Sequence, residues 1–313
     1  MHRSRRACLV AALTLALPAT APAIVGVGVH WGFDWSLHMD DEPRDQLVVD
    51  GLRLDITAVG GTAPSGFPTE IPAELLPVYV SRTNWERNPI NFGGKLLVDA
   101  IKWFEVELST NIGVWEYDGQ IVYPTSLTFV NPPPANPSSP DQYYQVQYDS
   151  LAITCDKMGL GYWGVDRTPY VKMNFDLTVK KAFFKIPKKL KTFSLYGGGG
   201  VSVHLATPVL SAELIEEALG TKLDQLFTDV ATMGAGFLGD DQVMEAVLKE
   251  IIAGLTEPKW GMHFVVGTQL KIPVIPLAFY LDGKLMIPFG NLDPYVDLKG
   301  YGFLLNAGVM LKF

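Results

Sequence analysis

From Lys299 to Phe313 the chain reads KGYGFLLNAGVMLKF, and its side chains divide with a period of two. Tyr301, Phe303, Leu305, Ala307, Val309, Leu311 and Phe313 share one face of an extended strand, with Gly300, Gly302, Asn306, Gly308 and Lys312 opposite. No other feature restricts the fold as much. A helix scatters such a pattern around its circumference, whereas a strand gathers it into one oily face that must meet either a core or lipid.

The pattern recurs along the chain. Val25 to Met39 sets Val25, Val27, Val29, Trp31, Phe33, Trp35 and Leu37 against Gly26, Gly28, His30, Gly32, Asp34, Ser36 and His38. Ile90–Val98, Phe104–Tyr117, Tyr170–Phe183, Thr192–Ala206, Trp260–Ile272 and Leu277–Ile287 divide the same way, so the tail makes the eighth such segment. Connections of about 50 residues (40–89, 118–169, 207–259) alternate with short ones (99–103, 184–191, 273–276). The polar faces mix glycine with charges of both signs. Glycine weakens a water-facing strand but suits a narrow interior where large and small side chains interleave. Aromatic residues gather near strand ends (Trp35, Phe104, Phe183, Phe193, Trp260, Tyr301, Phe313).

Together these features predict an all-β fold: a closed antiparallel transmembrane β-barrel of eight strands, apolar face outward, with short turns at one end and long loops at the other. Gln46–Val59 and Gln142–Cys155 are also strand-capable. They are read as extensions above the membrane; if they span it, the count rises to ten or twelve. The third long loop, 207–259, reads as a helical hairpin. Ser211 is placed to cap a helix running to Thr232, and Asp240 to cap a second from Asp241 to Ala253 that Gly254 ends. Mutual packing is the plain use of their apolar stripes. The sharper one is a lid over a pocket at the barrel mouth, lined by Met233, Phe237 and Met244.

Residues 1–23 read as a secretory signal: Arg3, Arg5 and Arg6, an apolar run from Ala7 to Leu17, then Ala21-Pro22-Ala23. The barrel then occupies residues 24–313. Removing the three arginines takes the net charge from −8 to −11, which excludes the basic footprint of a nucleic-acid binder. Cys155 remains as the single cysteine of the mature chain and reads as an apolar filler.

The tail, with its terminal Phe313 and an apolar residue at every second position before it, resembles the C-terminal signal of bacterial outer-membrane β-barrels. The rhythm of strands resembles the small OmpW, OmpX and OmpA-barrel architecture. The resemblance implies an outer-membrane location, contact with outer-membrane lipids, and capture by the barrel-assembly machinery through Phe313. No loop motif carries an activity with it.

Inside so small a barrel, Glu105, Glu107, Lys172, Asp176, Lys180, Lys271, Asp282 and Lys284 are expected to pair as a polar core. His30, His38, His204 and His263 fall on the same inward face. His204 and His263 are placed to touch, but no set of metal ligands surrounds them, so neither metal nor cofactor is expected. Ser202 and His204 share that face without the surroundings of a hydrolase, so no catalytic residue is assigned. The turn Lys185–Lys191 (KIPKKLK) reads as a basic periplasmic hairpin against anionic headgroups. The function expected is non-enzymatic and porin-like: binding or transport of a small hydrophobic molecule, or maintenance of the envelope. The alternatives are a soluble periplasmic lipid-binding barrel and an outer-membrane lipid hydrolase.

Overall fold

The structure, a computed structural model, describes residues 25–35, 42–47, 53–55, 70–72, 78–101, 104–129, 144–155, 165–187, 192–219, 240–292 and 302–312. The expected leader, His38, Lys188–Lys191, residues 220–232 of the first expected helix, Met233, Phe237 and Phe313 lie outside them.

Among the described residues twelve strands and two helices follow in order: β1 (Val25–Asp34), β2 (Glu42–Leu47), β3 (Arg53–Asp55), β4 (Glu70–Pro72), β5 (Val78–Ile101), β6 (Phe104–Phe129), β7 (Tyr144–Ile153), β8 (Thr168–Ile186), β9 (Phe193–Ala206), α1 (Ala212–Leu219), α2 (Asp240–Ala253), β10 (Lys259–Lys271), β11 (Leu277–Pro288) and β12 (Gly302–Lys312). Eight of them pair antiparallel in the circuit β1-β12-β11-β10-β9-β8-β6-β5, and β5 returns to β1. The closing seam joins the first and last of the eight predicted segments. Gly26 of β1 faces Lys312 of β12, and the register holds to Asp34 opposite Leu304. Closure leaves the circuit without an open edge.

All eight predicted segments are barrel strands, and short and long connections alternate as expected. Gln142–Cys155 supplies β7, which pairs with the part of β6 standing beyond the barrel; β2 does the same beside β5. Neither joins the wall, so the count stays at eight. The departure is in length. β5 begins at Val78, twelve residues before the segment its alternation marks, because the register slips between Thr83 and Glu86 and between Arg87 and Asn91. Asn84 takes a left-handed φ of 54° in the first slip, a conformation asparagine tolerates well among non-glycine residues. The first slip inserts one residue and exchanges the two faces; the second inserts two, which keeps the faces but interrupts the period-two signal.

Above the barrel, β2, β5, β6 and β7 therefore form a four-stranded sheet, and α1 and α2 pack against it and each other. Ser211 caps α1 as predicted, its Oγ accepting the Leu214 N–H at 3.2 Å. Val78, Val80, Ile121 and Ile153 from the sheet meet Leu214, Ile215, Val247, Leu248 and Ile251 from the helices in one apolar core. Leu210, just before α1, is docked through its backbone: its N–H donates to Tyr117 Oη at 2.8 Å, and its carbonyl accepts from buried Arg82 at 2.7 Å. We refer to this assembly as the cap.

Outside the barrel wall the apolar residues are exposed on every strand: Val29 and Trp31 on β1, Leu96 on β5, Leu108 on β6, Leu177 on β8, Val201 on β9, Val266 on β10, Leu281 on β11 and Leu311 on β12. Val266 is 65% exposed. Along β10, Trp260 and Leu270 bound this belt; ten steps of about 3.3 Å on a strand tilted by about 40° make it roughly 25 Å tall. At its upper edge Trp35 stacks on Phe303 with ring centroids 5.8 Å apart.

Candidate functional site in the barrel interior

The inward face of β6, read upward from the short-turn end, runs Glu105, Glu107, Ser109, Asn111, Gly113, Trp115, Tyr117; that of β8 runs Lys180, Thr178, Asp176, Asn174, Lys172, Tyr170. β6 passes from charged to neutral polar to aromatic, whereas β8 alternates charged and neutral polar side chains up to Tyr170. Period-two geometry lays these side chains in layers across the lumen.

The lower layers are ionic. Lys180 donates to Glu107 Oε2 at 2.5 Å, and Lys95 lies 3.5 Å from the same oxygen while also pairing with Asp282. Tyr196 donates its hydroxyl to Asp282, and its ring receives the Lys180 ammonium 4.5 Å from the centroid. Lys284 donates to Asp176 Oδ2 at 2.8 Å and to Ser109 Oγ at 2.7 Å. Higher up, Lys172 donates to Asp34 at 3.1 Å. Four lysines thus face four carboxylates, and Asp34, the most accessible of the eight, is only 4% exposed. The charges cancel. An uncompensated one here would carry a desolvation penalty of several kcal/mol.

Of the eight charged residues predicted to line the lumen, Glu107, Lys172, Asp176, Lys180, Asp282 and Lys284 are brought together there. Glu105 sits at the rim, half-buried and paired with Lys312 at 3.2 Å. Lys271, the last residue of β10, is exposed below the lumen. Asp34 and Lys95 complete the network. Both lay on the inward faces read from sequence, but which of many inward polar residues would meet depends on stagger between distant strands.

Three histidines are locked into this interior. His30 bridges Tyr280 Oη at 3.0 Å and Asn111 Oδ1 at 2.8 Å. His204 holds Asn174 Oδ1 at 2.7 Å. His263 lies 2.8 Å from both Ser202 Oγ and Thr178 Oγ1. His204 and His263 are not direct neighbours, contrary to the sequence reading: the ladder sets His204 opposite Lys259 and His263 opposite Gly200, four residues further along. Ser202 therefore meets His263 instead of His204. The far nitrogen of that imidazole meets a hydroxyl where a nucleophile's base would need a carboxylate, and Ser202 and His263 are sealed from solvent. Among the described residues no group of three or more metal-ligating side chains converges.

Glycines leave the room these side chains use. A Cβ on Gly267 would stand 2.7 Å from Tyr196 Oη, and one on Gly308 would stand 2.6 Å from Tyr280 Oη. At Gly113 it would come within 2.6 Å of the Trp115 ring, which folds down over the lumen. Trp115 and Tyr170 meet edge to face at 6.3 Å, and Trp85 stacks on Tyr117 at 4.2 Å, so an aromatic layer divides the polar interior from the cap core. At the other end Leu97, Tyr280 and Met310 form an apolar floor. Met310 and Leu304 point inward, so the inner face of the tail is less polar than its glycines suggest.

Met244, expected to line a pocket, is buried in the cap core, where Thr154 Oγ1 lies 3.8 Å from its sulfur. The helices use their stripes on each other and on the sheet. Among the described residues the interior is a charge-balanced polar core with apolar and aromatic side chains at each end, which can hold a barrel rigid. The chain matches no protein-family model and no curated protein.

Proposed function

We propose that this chain is a bacterial outer-membrane β-barrel, of the small architecture that OmpW, OmpX and the OmpA barrel share, whose work is structural. Its filled barrel anchors the cap at the cell surface and contributes to the envelope. One observation carries the reading: the belt of exposed Val, Leu, Phe and Trp that circles all eight strands at about the height of a hydrocarbon layer. A soluble monomer rarely exposes an apolar patch beyond a few hundred Å². A soluble lipid-binding barrel would reverse the faces, with an oily interior and a polar exterior, and here the interior holds eight charged side chains.

The reading is non-enzymatic: Ser202 and His263, the serine and histidine in contact among the described residues, are sealed from any substrate. Maintenance of the envelope is favoured over passage of a hydrophobic molecule by the four buried ion pairs and the aromatic layer that fill the route. The long connections face outward and the short turns face the periplasm, with outer-membrane lipids around the belt and the barrel-assembly machinery as the partner in insertion. Fractionation tests it. The protein should stay with detergent-extracted outer membranes and migrate faster on gels before boiling than after; recovery from the periplasmic extract would overturn the proposal.

A further inference from the structure

Two pairs of polar side chains reach toward each other across the lumen near the closing seam, and one of the two pairs does not meet. His30 of β1 stands opposite Gly93 of β5, and Gly93 stands opposite Asn111 of β6. The imidazole and the carboxamide meet across that glycine, with His30 Nε2 2.8 Å from Asn111 Oδ1. One inward position higher the plan repeats. Gly32 of β1 stands opposite Asn306 of β12. On its other side the β1–β5 ladder ends with Trp31 opposite Phe92, which puts Asn91 next to Gly32. A glycine again lies between two polar side chains, and the Asn306 carboxamide leans over it, so that a Cβ on Gly32 would collide with Asn306 Oδ1.

Two asparagines span less than a histidine and an asparagine. Among the described residues neither Nδ2 nor Oδ1 of Asn91 or of Asn306 has a hydrogen-bond partner, and Nδ2 of Asn111, in the pair below, has none either. Asn91 is 3% exposed and Asn111 and Asn306 are 1% exposed. Trp115, folded over Gly113 opposite Asn91, covers them from above, and the contacts of Lys284 with Ser109 and Asp176 lie below.

A buried amide without a partner is strongly unfavourable, so these groups call for a ligand. Their chemistry selects it. Asn91 and Asn306 each present a donor and an acceptor without charge. A cation would answer the oxygens alone and an anion the nitrogens alone, and either would upset the balance of four lysines against four carboxylates. Water carries two hydrogens and two lone pairs, and a buried water makes about three hydrogen bonds.

We infer that Asn91, Asn111 and Asn306 form a binding site for ordered water inside the barrel, with one molecule bridging the Asn91 and Asn306 carboxamides across Gly32. At about three bonds per molecule, the five open atoms accommodate about two waters. They tie β12 to β5 over β1, as His30 and Asn111 tie β1 to β6 over β5. The inference concerns the interior alone and holds whatever medium surrounds the wall.

The test uses the full-length protein in detergent micelles with 15N-labelled asparagine. Cross-relaxation between water and the side-chain amide protons of Asn91 and Asn306, assigned by their loss in Asn91→Leu and Asn306→Leu, should carry the sign of a long-lived complex. Deuteron relaxation dispersion counts such waters. The double variant Asn91→Leu/Asn306→Leu keeps the side-chain volume and removes four of the five open atoms, so its dispersion amplitude should fall by about one to two waters, while Lys249→Gln on α2 leaves it unchanged. Cross-relaxation of the fast-exchanging sign at both amides of the wild type overturns the site. So does a double variant that keeps the full amplitude while showing the heat-dependent migration of a folded barrel. If the double variant does not fold, the sign measured on the wild type decides alone.

Discussion

Replacing Lys284 by methionine removes the ammonium that Asp176 and Ser109 share, at a site with no solvent exposure on either charged partner. The lumen then passes from four lysines against four carboxylates to three against four. Methionine approximates the volume but cannot answer the charge. Removing one partner of a buried pair costs about 3–5 kcal/mol, because the other charge is left desolvated. At about 1.4 kcal/mol per tenfold, the folding equilibrium should fall by roughly two to three and a half powers of ten. Urea titration of the barrel in lipid vesicles, followed by tryptophan fluorescence, measures this directly. Removing both charges, as Lys284→Met with Asp176→Leu, should restore most of the loss, since a well-packed apolar pair often replaces a buried ion pair at little cost. A single variant that loses under about 1 kcal/mol would refute the reasoning, for it would mean that water reaches Asp176 through an open channel.

Further predictions concern the packing and the two ends. Gly267→Leu drives a side chain into Tyr196 and Asp282 and should cost at least about 1–3 kcal/mol, read as a lower urea midpoint. Trp115→Ala opens the aromatic layer but leaves the ion pairs beneath it, so planar bilayers should stay silent for both wild type and variant; steady conductance from the wild type would contradict the filled lumen. Arg167 ties the left-handed turn of β5 to β6, donating to the Asn84 carbonyl at 2.9 Å, to Glu86 at 2.8 Å and to Asp118 at 3.3 Å. Arg167→Ala should loosen the cap by about 1 kcal/mol, given the partial exposure of these groups, and hasten proteolysis near Asn84 without altering heat-dependent migration.

The barrel was legible because its signal is local. Each of the eight wall strands declares its faces through its own alternation, and even the closing pair, β1 against β12, could be named from the two ends of the pattern. What failed to show was nonlocal or interrupted. The register slip at Thr83–Glu86 exchanges inward and outward residues within β5 and the one at Arg87–Asn91 breaks the pattern again, so the sheet above the barrel looked like loop. The helical loop was recognised and Ser211 assigned its cap, yet Met244 was taken for pocket lining, since a helix stripe does not say what will cover it. In the interior, inwardness was visible for nearly every charged residue and partnership was not. His204 and His263 were separated, and Ser202 joined to His263, by a stagger of four residues between β9 and β10 that turn length and packing fix. Lys271 and Glu105 share the inward pattern but sit where the lumen ends.

The central claim is that the apolar face of the wall meets hydrocarbon. Val266, near the middle of the belt and 65% exposed, is the place to ask. A nitroxide attached at Val266→Cys, in a Cys155→Ser background and reconstituted into vesicles, should be readily relaxed by dissolved oxygen and scarcely by a water-soluble nickel chelate. The reverse ranking would place that face in water and contradict the account.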